Sequence, residues 1–107
     1  MTVKEKMHAG EPYVMADDPE LMKYQQECLD KLFEYNSLRP SETEKKAALL
    51  KEMFAEIGED CYIETPFHAN FGGAHVHFGK NVYANFNLTL VDDTHIYVGD
   101  YTMFGPN

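Results

Sequence analysis

Three histidines in the second half of the chain could do chemistry as a group. In "HVHFG" and "HIYVG", His75, His77 and His95 alternate with Val76, Phe78, Ile96 and Val98. Alternation sends successive side chains to opposite faces of a strand, so with the aliphatic and phenyl groups inward, the imidazoles and Tyr97 point outward. Two such strands one above the other would stack the histidines into a patch, and convergent neutral imidazoles are zinc ligands. The carboxylates and amides have local readings. Asp17-Asp18 precedes Pro19-Glu20 as an acidic helix cap. Asp92-Asp93 reads as a solvated turn, and Asn85 as a corner residue. Cys28 and Cys61 have no metal-type spacing, which fits a reduced, cytoplasmic setting.

The elements that must position these groups change character near Gly58. After Asp17-Asp18-Pro19-Glu20, the residues Leu21, Gln25, Cys28, Leu29, Leu32 and Phe33 recur at three- and four-residue steps and predict a helix ending near Asn36. "SLRP" breaks it. Ser41 and Glu44 then form a capping box for a second helix, continued by Ala47, Leu50, Met53, Phe54 and Ile57 and closed at Gly58. Beyond Gly58 the period becomes two, within a longer period of six. Phe78, Ala84 and Leu90 are six residues apart, and so are Val98 and Phe104, with a slip of two at Asp92-Asp93-Thr94. A six-residue repeat of this kind marks a parallel β-helix, in which three short strands complete each coil. We expect it to begin near Tyr62, with Phe78, Ala84, Leu90, Val98 and Phe104 buried.

Composition narrows the partners. With 18 acidic and 9 basic residues among 107, the net charge of −9 argues against nucleic acid and anionic membranes, which attract an excess of Lys and Arg. "MTVKEKMHAGEP" has no apolar run, so neither a signal peptide nor a membrane span is expected.

The segments "MHAGEPY", "DPEL", "RPSETEKKAALLKEMFAEIGE", "NVYANFNLTLVDD" and "VGDYTMFGPN" resemble the maltose and galactoside O-acetyltransferase family, hexapeptide-repeat sugar acetyltransferases, essentially end to end. The resemblance implies an α+β fold: a helical hairpin in residues 1–58, then the first coils of a left-handed parallel β-helix in 59–107, truncated relative to the family. It implies a cytoplasmic homotrimer that moves an acetyl group from acetyl-CoA to the hydroxyl of a maltose-, glucose- or galactoside-like acceptor. By the same resemblance Asn85 supports the transition state, while Asp17, Asn70 and Asp93 bind the acceptor, with Asp18 competing for the place of Asp17. The general-base histidine and the CoA-binding coils are expected beyond Asn107, so the chain alone should be inactive. Two other readings stand beside this one. Some zinc-dependent carbonic anhydrases are also left-handed β-helices with histidine ligands between subunits, and a non-catalytic interaction fragment would need none of this chemistry.

Overall fold

Strands of two or three residues can be stable only if many of them stack, and here they do. The computed structural model describes all 107 residues. Helices α1 (Val3–Ala9), α2 (Pro19–Ser37) and α3 (Thr43–Met53), with a 3₁₀ turn at Met15–Asp17, precede eight strands: β1 (Glu56–Ile57), β2 (Tyr62–Ile63), β3 (His68–Ala69), β4 (Val76–Phe78), β5 (Tyr83–Ala84), β6 (Thr89–Leu90), β7 (Ile96–Val98) and β8 (Met103–Phe104). They form three parallel sheets, β1-β4-β7, β2-β5-β8 and β3-β6. Each strand therefore pairs with the one a full coil later, as in Glu56↔His77, Tyr62↔Tyr83 and His68↔Thr89. The chain winds through the three sheets in turn, which is the coil that the six-residue period predicts.

The coil begins earlier than Tyr62. Ile57, Ile63 and Ala69 already follow the six-residue step and face the same core as Phe78, Ala84, Leu90, Val98 and Phe104. An added turn at residues 70–75 hides this phase in the sequence. Phe78 and Ala84 are fully enclosed. Leu90, Val98 and Phe104 face the same core but are only half-buried, because they sit on the outer strands β6, β7 and β8.

Three local readings are corrected. Helix α3 ends at Met53, so Phe54 and Ile57 lie outside it and Gly58 is not its cap. Gly58 is small for another reason: a Cβ there would come within 2.6 Å of the Gly79 carbonyl oxygen on the next coil. The N-cap of α3 is Glu42 without a side-chain cap bond, so Ser41 and Glu44 form no capping box; Glu42 instead accepts from the Arg39 N–H at 3.1 Å. Phe33 is 75% exposed, since the covered face of α2 runs through Leu21, Leu32 and Tyr35, and a residue one step from Leu32 turns away from it. The capping box does occur, unforeseen, at Thr2 and Glu5 of α1.

The helices close one side of the coil through few but specific bonds. Tyr35 donates its hydroxyl to the Ile63 carbonyl at 2.5 Å, and the Asn36 amide bonds both the N–H and the carbonyl of Phe67 at 2.9 Å. Lys46, buried on α3, is satisfied by the Tyr62 hydroxyl at 3.0 Å and by the faces of Tyr35 and Tyr62. No helix is long and apolar enough to cross a membrane.

Candidate functional site at the β6–β7 corner

The chain must turn from β6 to β7 through Val91–His95, and this corner meets the added turn at 70–75, helix α1 and the loop that follows α1. Its two aspartates have unlike surroundings. Asp92 is fully buried, and its carboxylate accepts the N–H groups of Phe71 at 2.6 Å and Gly73 at 2.8 Å. Its carbonyl accepts from His75 Nδ1 at 2.7 Å, which requires the proton of that imidazole to be on Nδ1. Asp92 is thus no solvated turn residue; it ties the corner to the added turn.

Asp93, the neighbour, is half-buried and held from both sides. The Asn70 side-chain amide donates to Oδ1 at 2.5 Å, and the Tyr13 hydroxyl donates to Oδ2. Gln25 on α2 donates in turn to the Asn70 side-chain oxygen at 3.2 Å and to its backbone carbonyl at 3.0 Å. The hydrogen bond to Asp93, with burial second, pushes the Tyr13 phenol up to about 12, so it stays a donor at any physiological pH.

The remaining sequence-derived candidates are dispersed. Asp18 is the N-cap of α2, accepting the Leu21 N–H at 3.0 Å, which leaves Asp17 exposed, in the 3₁₀ turn, with no side-chain bond. Asn85 follows β5, and its side-chain oxygen accepts the N–H of Phe86 at 2.8 Å, while its amide nitrogen has no partner. Strand β6 lies between Asn85 and Asp93, so one chain does not bring them to one corner. Two shallow depressions share His68 and Thr89; one reaches Asn70 and Val91, the other Asn87 and Asn107.

The histidines do gather, and His8 of α1 joins them. The ring centroids of His8, His75 and His95 lie 4.8–5.4 Å apart, and His77 Nε2 bonds His95 Nδ1 at 2.8 Å. His75 points outward from the coil and stays out of its core, as the alternation predicts, and is buried because α1 lies over it. No set of three or more His, Cys, Asp or Glu side chains is placed to hold a metal ion, so the zinc reading lacks geometric support. His8, Tyr13 and the role of Asp92 escape sequence reasoning, because helix α1 and its fold-back onto the corner leave no periodic trace in so short a segment; Gln25 is legible as a residue of the α2 stripe, but its bond to Asn70 is not.

Comparison with known proteins adds the family context. Residues 6–58 match the maltose acetyltransferase hexapeptide capping motif. The galactoside O-acetyltransferase of Lactococcus lactis subsp. lactis (strain IL1403) is 54% identical over 102 residues, which are 95% of this chain and 49% of that protein. Two solved structures superpose over 100% of the chain. A galactoside acetyltransferase in complex with coenzyme A has a TM-score of 0.91 at 38% identity, with 52% of it covered. A maltose O-acetyltransferase from Clostridium difficile 630 has a TM-score of 0.93 at 31% identity, with 56% covered. The chain spans about half the length of the curated relatives it matches.

Proposed function

We propose that this chain, which belongs to the maltose/galactoside O-acetyltransferase family and covers about half the length of its relatives, is the N-terminal half of an acetyl-CoA-dependent sugar O-acetyltransferase and supplies its acceptor-binding side. The observation that carries the reading is the Asp93 carboxylate, oriented by Asn70 and Tyr13 at an accessible corner. Sugar hydroxyls are recognised by such fixed acceptors and paired amides.

The chemistry sets what else is needed. A sugar hydroxyl attacks a thioester only when a base takes its proton and donors meet the developing oxyanion. Asn85 can supply a donor, because its amide nitrogen is uncommitted. The base is assigned to a histidine downstream of Asn107, and the coil to the left-handed sense. Since Asn85 and Asp93 occupy different corners, the reading requires a cyclic homotrimer in which one subunit's Asn85 faces its neighbour's Asp93. A reducing, cytoplasmic location fits the two free cysteines.

The test is CoA release from acetyl-CoA with maltose, glucose or a galactoside as acceptor, using the protein extended by its coding sequence past Asn107. Transfer that depends on the acceptor is expected. The 107-residue chain should be slower by about 10²–10⁴-fold or more, the usual loss when general-base help is removed. No transfer to any sugar by the extended protein would overturn the proposal, and an ordinary rate from the 107-residue chain would overturn the downstream base.

A further inference from the structure

Resting on that reading, we infer that Tyr13 is a positioning residue of the acceptor site, acting through Asp93. The two aspartates of the corner divide their labour. The fold is served by Asp92, whose carboxylate is buried and bonded to two backbone N–H groups. The Tyr13–Asp93 bond lies outside that arrangement and closes instead on a half-buried carboxylate. A side chain is thus spent on orienting a group that the corner does not need for its shape.

The lone pairs of Asp93 leave room for a ligand. An ionised carboxylate has about four acceptor sites, two on each oxygen. Asn70 takes one on Oδ1 and Tyr13 takes one on Oδ2, which leaves each oxygen able to accept one further hydrogen bond. Two donors on one ligand, such as neighbouring hydroxyls on a sugar ring, match that remainder. Without the phenol, the carboxylate could turn about its Cβ–Cγ bond and the remaining directions would no longer be fixed. Both clamps are themselves held from behind: Gln25 fixes the Asn70 amide, and the Tyr13 ring packs beside Met7, Leu21 and Phe71. Those supports come from α1, α2 and the added turn at 70–75, so the N-terminal segment belongs functionally to the acceptor site.

The test uses Tyr13→Phe in the extended protein, a change that keeps the ring and its packing and removes only the donor. The Michaelis constant for the sugar should rise on the order of ten-fold, as for loss of a hydrogen bond to a charged group, while that for acetyl-CoA and the melting temperature stay as they were. In an Asp93→Ala background, which leaves the phenol no acceptor, Tyr13→Phe should add no further loss, because two residues acting through one group are not additive. An unchanged sugar Michaelis constant, or an equal loss in both backgrounds, would overturn the inference while leaving the transferase reading intact. A wild-type protein that transfers nothing would remove both.

Discussion

At the residue scale, Asp92 and Asp93 share a chemistry and divide its uses. Removing the Asp92 carboxylate leaves the N–H groups of Phe71 and Gly73 without partners in the interior, and each orphaned buried group costs about 1–3 kcal/mol. For a domain of this size about 1 kcal/mol shifts the melting temperature by roughly 4–8 °C. Asp92→Ala should therefore melt at least about 10 °C below wild type by circular dichroism, and Asp93→Ala within a few degrees of it. Equal melting of the two variants would mean that both are structural and would remove Asp93 from the proposed site. The periodic pattern offers no way to tell them apart, since "VDD" sits where the six-residue period slips and neither residue has a phase. What the string resemblance singles out, Asn70 and Asp93, the structure bonds to each other; the phenol that completes the pair comes from 80 residues away and has no mark in the local pattern.

At the scale of elements, legibility follows length. Helix α2 has enough turns to show its stripe, and the six-residue period survives in strands of two residues because every coil repeats it. Helix α1, with seven residues, has a single buried side chain, Met7, and so no stripe at all. Its docking nevertheless has a measurable signature. His8 is held below the ordinary imidazole value of 6.5, first by burial and then by His75, His95 and Lys4. His95 is lowered too, by burial first and then by His75 and His77. Glu56, bonded to His77, is the one carboxylate bonded to the cluster, while His8 also meets the Thr94 hydroxyl. A depressed folded-state value means that the unfolded chain takes up protons first on acidification. The stability linked to His8 and His95 is then complete above about 6.5 and declines as pH falls below it. Histidine resonances and melts between pH 7.5 and 5 should show α1 loosening before the coil. His8→Phe, which keeps a ring and loses the charge, should flatten the slope; a slope identical to wild type would place the pH sensitivity elsewhere.

At the scale of the whole molecule, the placement of Asn85 after β5 and of Asp93 after β6 ties the proposed site to assembly. Each alone is a residue at a corner, and the proposed site needs a neighbouring copy to present the Asn85 corner of one coil to the Asp93 corner of another. Light scattering should give three times the subunit mass for the extended protein. The sharper test is complementation. Asn85→Ala should lower turnover by about 10²–10³-fold, as removal of a donor aimed at an oxyanion does, and Asp93→Ala should raise the Michaelis constant for the sugar. In a trimer with sites between subunits, every mixed assembly of the two variants contains one site built from an intact Asn85 and an intact Asp93. Random reassembly of equal amounts makes three-quarters of the trimers mixed, so the activity recovered at low sugar should approach roughly a quarter of wild type. If both residues serve the same site within a single chain, each subunit carries one lesion and mixing restores nothing. A mixture that has demonstrably exchanged subunits and stays inactive would therefore refute the intersubunit site.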